Sequence, residues 1–294
     1  VDGAMSDHTF SVPVAGGALV GGIWDTAGSP SVVAIHGITA SHRSWPIVAR
    51  RLDGIRVVAP DLRGRGRSNA LPGPWGLRRL ADDVAAMMDA LQIERAPIVG
   101  HSMGAFVAVR LAHQHPDRVE SLVLIDGGLP IERAADADPQ AMLGPAAERL
   151  ARTFTSRAEY RDFWRAHPAF AGAWSPDVQE YVDYDLDGEE PLLRASTRFE
   201  AMAENVRELD GSGGYVEALT ALTLPIDFVR APRGLLDEPT ALYSQIVVSE
   251  YASRLPNLTV HQVDNVNHYT IIMSEQGAAD VAEIVRHRLK EDHV

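Results

Sequence analysis

The 294-residue chain contains no cysteine. That absence removes disulfides, thiolate zinc sites, iron–sulfur clusters and a cysteine nucleophile together, and it leaves the redox compartment open. Lysine is almost missing as well. Lys290 is the only one, so positive charge rests on arginine, and amine chemistry has a single position at a C-terminal helix end. No stretch reaches the roughly 18 uninterrupted apolar residues of a membrane span, and VDGAMSDHTF at the start lacks the basic and apolar regions of a signal peptide. A cytoplasmic protein with no membrane partner is therefore expected, and residues 1–4, which precede Met5, read as an expression scar. Basic residues are outnumbered 27 to 40, giving a formal charge of −13 that disfavours nucleic acid as a partner.

What the chain has is a succession of short apolar runs, at 32–35, 57–59, 97–99, 122–125, 226–229 and 258–260. Each is three or four residues long and mostly apolar throughout rather than alternating, the pattern of a parallel strand buried on both faces. Between them lie helical patterns at 77–91, 103–113 and 277–289. Alternating strands and helices predict an α/β fold with a parallel sheet. Residues 10–14 and 18–24, joined by Gly16-Gly17, predict a hairpin on the sheet edge. The alternation stops after Ile125 and resumes near Leu224, and the intervening segment shows helical pieces at 140–154 and 157–167. It reads as an inserted cap over residues 129–220, with residues 1–128 and 221–294 as the core. The run 210–214, DGSGG, is expected to be flexible. Residues 177–190 hold seven acids and no Lys or Arg, which reads as a solvated face.

The informative motif is Gly100-His101-Ser102-Met103-Gly104, preceded by the strand Pro97-Ile98-Val99 and followed by a helical pattern. G-x-S-x-G alone recurs by chance, but a strand leading in and a helix leading out give it physical meaning. Such a turn strains the serine and exposes its hydroxyl, while both glycines let strand and helix nearly touch. Ser102 is the candidate nucleophile. With His36-Gly37 after the third strand and Pro60-Asp61-Leu62-Arg63-Gly64-Arg65-Gly66-Arg67-Ser68 after the fourth, the chain resembles the cap-bearing branch of the α/β-hydrolase superfamily.

That resemblance implies a mostly parallel eight-stranded sheet flanked by helices. It implies an oxyanion hole made by the backbone N–H groups of Met103 and Ile38, with His36 shaping the loop from behind. It also places the general base after the last strand, where Val263-Asp264-Asn265-Val266-Asn267-His268 lies, so His268 is the candidate among eleven histidines. His113, His115, His261 and His287 read as surface residues, and His101 as packing locally beside the nucleophile.

The orienting acid has two candidates. The family's usual turn after the seventh strand reads Arg233-Gly234-Leu235-Leu236-Asp237 here, which puts Asp237 two residues late. The alternative position, used by a subset of haloalkane dehalogenases and by zearalenone-type lactonases, follows the sixth strand, where Asp126 fits without a gap. Asp126 is favoured and Asp237 stays open. Ten of the nineteen aromatic residues fall within 129–220, so an aromatic pocket roof is expected, with Trp174 and Phe170 as candidate substrate contacts.

Serine rather than aspartate at the elbow points away from dehalogenases and epoxide hydrolases of this fold. The expected function is hydrolysis of a hydrophobic, ring-containing carboxylic ester or lactone through an acyl-serine. Carbon–carbon hydrolysis of ring-cleavage diketones is the alternative, and a small-molecule receptor on a hydrolase scaffold is the alternative of another class. H-E-x-x-H is absent and no Walker lysine follows Gly64 and Gly66, so neither metal nor cofactor is expected. The edge hairpin and the final helix are the surfaces that a homo-oligomer would use.

Overall fold

Short apolar runs become the inner strands of one sheet because only a strand covered on both faces can bury every side chain of such a run. The computed structural model describes residues 6–25, 29–131 and 144–292. The expected scar at 1–4 and the start of the helix expected at 140–154 lie outside the described residues.

Eight strands share the main sheet: β1 (Ser6–Val14), β2 (Gly17–Asp25), β3 (Ser31–Ile35), β4 (Arg56–Pro60), β5 (Ala96–His101), β6 (Val119–Ile125), β9 (Ile226–Arg230) and β10 (Leu258–Gln262). A separate short pair comprises β7 (Leu186–Asp187) and β8 (Arg194–Ala195). Strand order in the main sheet is β1-β2-β4-β3-β5-β6-β9-β10. The first hairpin and its junction with β4 are antiparallel, and all other pairings are parallel. Every residue of β5 is buried. By contrast β10, expected to be covered on both faces, is an edge strand with only Leu258 fully buried, because no ninth strand lies beyond it among the described residues.

Side chains alternate across the sheet. Val33, Ile35, Ile98 and Leu124 join one core with α2 (Leu77–Ala90) and α3 (Met103–Gln114), whereas Val32, Ala34, Val99 and Ile125 join the other with α1 (Pro46–Arg51) and α11 (Glu275–Asp292). Helix α2 contributes Leu77, Leu80, Val84, Met87 and Met88, each fully buried and each worth about 1.5–3 kcal/mol of apolar burial.

Between β6 and β9 the chain adds no strand to the main sheet among the described residues. It forms α4 (Gly144–Ala151), α5 (Arg157–Arg165), α6 (Pro176–Tyr184), α7 (Phe199–Glu208) and α8 (Tyr215–Thr220). After β9 come α9 (Gln245–Arg254) and α10 (Thr270–Met273). Trp164 sits at the centre of the inserted segment's own core, ringed by Phe163, His167, Phe170 and Tyr181 and meeting Tyr269 of the sheet layer.

Two expectations about this segment change. The acidic run is not simply a solvated face: Asp185 is buried and accepts from Arg149, Tyr160 and Ser196, Asp183 pairs with Arg161, and Asp177 pairs with Arg50. The glycine-rich run after α7 is tethered, because the Arg110 guanidinium on α3 donates to the carbonyls of Gly213 and Gly214, each at 2.9 Å.

Candidate active site

Ser102 closes the turn between β5 and α3 with φ 56° and ψ −124°, a conformation rare for a residue with a Cβ. Packing enforces it. A Cβ on Gly104 would lie 2.1 Å from the Ile35 carbonyl oxygen, so helix and strand approach as closely as backbone allows. The Ser102 N–H donates to the Ile125 carbonyl at 2.9 Å, anchoring the turn to β6.

Asp126 follows at the tip of β6, fully buried and with φ 43°. Its N–H continues the sheet by donating to the Val229 carbonyl at 2.8 Å. Its Oδ1 accepts from the Ala231 N–H at 3.2 Å, and its Oδ2 accepts from His268 Nδ1 at 2.6 Å. This is the geometry of a carboxylate that holds one imidazole tautomer and leaves Nε2 for other work. Asp237 does not reach the imidazole. Its Oδ1 accepts from Asn267 at 2.9 Å and pairs with Arg233 at 3.1 Å.

The loop bearing His268 is built by Asn267, a residue that sequence reading passed over. Its Oδ1 accepts from the N–H groups of Tyr269 and Thr270, and its Nδ2 donates to Asp237 and to the Ala169 carbonyl of the inserted segment. His101 Nε2 donates to the His268 carbonyl at 2.7 Å, with the two rings 4.7 Å apart. Burial and the neighbouring His268 ring push His101 well below the usual histidine range, so it is neutral at pH 7. Thus His101, expected to pack locally, instead bonds to the backbone of the distant loop that carries His268. His261, read as a surface residue, instead ties β10 to β9 by donating to Asp227 at 2.7 Å.

His36 is buried behind the loop 37–40. Its Nδ1 donates to the Gly37 carbonyl at 2.7 Å and its Nε2 accepts from the Leu62 N–H at 2.9 Å. Burial lowers it to about 4, which keeps the ring neutral and able to make both bonds. A Cβ on Gly37 would meet Ser102 Cβ at 3.2 Å, so the loop lies against the nucleophile. Ile38 lines the cavity there, and Met103 opens α3, where an N–H has no partner within the helix.

Ser102 and His268 line one cavity of about 240 Å³. Ile38, Leu242, Ile272 and Met273 give it an aliphatic wall, to which the inserted segment adds Ile131, Ala146, His167, Tyr181, Val206 and Leu209. Neither Trp174 nor Phe170 is among the lining residues. Phe170 is buried against Trp164 and Tyr269, and Trp174 lies under the Arg165 guanidinium at 4.9 Å. Phe170 and Trp164 serve the inserted segment's own core, and of its aromatic residues Tyr181 is the one that reaches the cavity, beside Tyr269 from the loop after β10. Glu238 is the one carboxylate among the described lining residues, and the other titratable side chains on the inserted segment's side stay neutral: burial lowers His167 to about 4 and raises Tyr181 and Tyr269 above the usual phenol range.

A family model for the alpha/beta hydrolase fold matches residues 30–273, and the chain belongs to that family. Lipase LipV of Mycobacterium tuberculosis is 32% identical over 162 residues, covering 55% of this chain and 58% of the lipase. The chain thus spans little more than half the length of that relative. A 2-(acetamidomethylene)succinate hydrolase of Mesorhizobium japonicum is 27% identical over 269 residues, 90% of each protein. Among solved structures, a thioesterase domain from the curacin biosynthetic pathway superposes with a TM-score of 0.75 at 20% identity, covering 96% of this chain and 99% of that one, which speaks to fold alone. No described helix is long and apolar enough to cross a membrane.

Proposed function

We propose that the protein is a serine hydrolase that cleaves a neutral, hydrophobic carboxylic ester or lactone through an acyl-serine intermediate, with residues 129–220 acting as the cap over the site. The observation that carries this reading is the buried Asp126–His268 pair facing the same apolar cavity as the strained Ser102.

The chemistry follows from the positions. His268 takes the Ser102 hydroxyl proton as Oγ attacks the carbonyl carbon, and Asp126 stabilises the imidazolium without taking the proton itself. The N–H groups of Ile38 and Met103 receive the oxyanion, in a site dry enough for such donors to matter. Collapse expels the alcohol, which takes its proton from His268. Water activated by the same imidazole then releases the acid and restores Ser102.

Lining chemistry argues for the substrate class. Among the described residues no arginine or lysine lines the cavity. A dicarboxylate of the kind named in the Mesorhizobium relative would find no counter-charge there, whereas an aliphatic or ring-containing acyl group would exchange water for apolar wall. Support for the ring comes from volume and apolarity rather than from aromatic stacking.

Chromogenic esters of neutral acids, from acetate to phenylpropanoate, test this. Turnover is expected to rise with apolar acyl size and to fall by on the order of 10⁶ in Ser102→Ala. Hydrolysis that persists in Ser102→Ala, or none in the parent chain, overturns the reading.

A further inference from the structure

Arg65 is fully buried, and among the described residues none of its hydrogen-bond partners is a carboxylate. Its Nε donates to the Ile38 carbonyl at 3.0 Å, Nη1 to the Arg63 carbonyl at 2.9 Å, and Nη2 to Asn205 Oδ1 on α7 at 2.6 Å, with Met103 Sδ at 3.8 Å. One side chain therefore touches both residues expected to donate to the oxyanion, and it also touches the inserted segment. Burial lowers the guanidinium to about 9, so it stays cationic at neutral pH.

Its place in the loop is specific. Three successive carbonyls are held from outside the loop: Gly37 by His36 at 2.7 Å, Ile38 by Arg65 at 3.0 Å, and Thr39 by Arg149 Nη2 at 3.3 Å. The first hold comes from the core. The second is shared with Asn205, and the third comes from α4, so two of the three depend on the inserted segment being seated. With the carbonyls on both sides of the Ile38 Cα pinned, the peptide planes are set, and with them the direction of the Ile38 N–H. Asn205 is itself oriented, since its Nδ2 donates to the Trp75 carbonyl at 2.7 Å.

We propose that Arg65 is a positioning residue that sets the oxyanion loop and, through Asn205, makes its geometry depend on the seating of the segment above it. The proposal rests on the serine-hydrolase reading. In function, the hole is competent when the segment is closed over a substrate and relaxes when Asn205 withdraws. A fork is required for this. Lysine has no planar set of donors with which to reach Ile38, Arg63 and Asn205 together.

Steady-state kinetics on a chromogenic ester such as p-nitrophenyl hexanoate, with thermal unfolding measured in parallel, separates positioning from mere stability. Asn205→Ala is expected to lower kcat about tenfold with KM within about twofold, and Arg65→Met about a hundredfold, the scale of losing one oxyanion donor. Asn205→Gln, which keeps both an acceptor for Arg65 and a donor for the Trp75 carbonyl, is expected to restore kcat to within about threefold of the parent. If Arg65→Met fails to fold, the two Asn205 variants carry the comparison alone. An unchanged kcat in Asn205→Ala, or a folded Asn205→Gln as slow as the alanine variant, overturns the proposal while the parent remains active. A parent without Ser102-dependent turnover overturns both this proposal and the reading beneath it.

Discussion

Two buried Asp–His pairs differ in what they face, and of the two only His268 of the first lines the cavity. In the first, His268 Nδ1 donates to Asp126 at 2.6 Å, and His268 shares the cavity with Ser102. In the second, His42 Nδ1 donates to Asp61 at 2.9 Å, both side chains are fully buried, and Nε2 of His42 ends without a partner in packed protein. The Asp61 carboxylate is saturated: it also accepts from the N–H groups of His42 and Arg67 and from the Tyr184 hydroxyl on α6. Burial alone would raise Asp61, but the adjacent His42 ring and these bonds outweigh it and hold the carboxyl down to about 2. The same pair of residue types makes a candidate base in one place and a brace between the core and the inserted segment in the other. Chemistry depends on what the free imidazole nitrogen faces.

Exchanging each acid for its amide breaks the comparison most sharply. Asp126→Asn is expected to lower kcat by about 10⁴ through the wrong imidazole tautomer, with unfolding temperature little changed. Asp237→Asn, whose carboxylate serves Arg233 and Asn267, is expected to stay within about threefold. Near-full activity in Asp126→Asn with a collapse in Asp237→Asn would reverse the assignment. Asp61→Asn is expected to do the opposite of Asp126→Asn, costing about 3 kcal/mol of stability in denaturant unfolding while kcat per folded molecule holds. A large kcat loss at unchanged stability would give the second pair a part in the chemistry.

The smallest effect sharpens the same contrast through pH. His36 lies beside the Asp61 pair, and its value is depressed from 6.5 to about 4 by burial. The unfolded chain therefore binds more protons in that window, so this group's contribution is complete above pH 6.5 and is lost as pH falls toward 4, on the order of 3 kcal/mol. Asp61 acts in a separate window, contributing above its ordinary 3.8 and losing that contribution as pH falls toward 2. Thermal unfolding against pH is expected to flatten between 6.5 and 4 in His36→Gln, which keeps one donor and one acceptor. An unaltered slope would show that the ring's burial does not govern acid stability.

Local sequence carried a good deal of this. Continuous apolar runs announced the inner strands, since no other secondary structure buries four consecutive side chains on two faces so economically. The strand, elbow and helix around Ser102 were legible because the glycines that flank it are spelled out in one short motif, although the backbone that requires Gly104 is the Ile35 carbonyl of a distant strand. His268 was legible only through the family resemblance, which places the base after the last strand. Cap aromatics misled, because Phe170 and Trp174 look like pocket residues only until the segment's need for its own core is counted. Arg65 was hidden in a glycine-rich run that read as one motif, although a charged residue between two glycines behind the loop was a signal within reach.

By itself, then, the sequence determined the alternation of strands and helices and the motif that carries Ser102, both written in short stretches of chain, while the family resemblance pointed to the histidine after the last strand. Tertiary structure alone decided that Asp126 and not Asp237 meets His268, that Phe170 and Trp174 stay out of a mainly aliphatic cavity wall, and that Arg65 joins Ile38, Met103 and Asn205. Those partners are separated by tens to more than a hundred residues of chain, and their meeting depends on how the whole sheet and its helices pack, which no local pattern encodes.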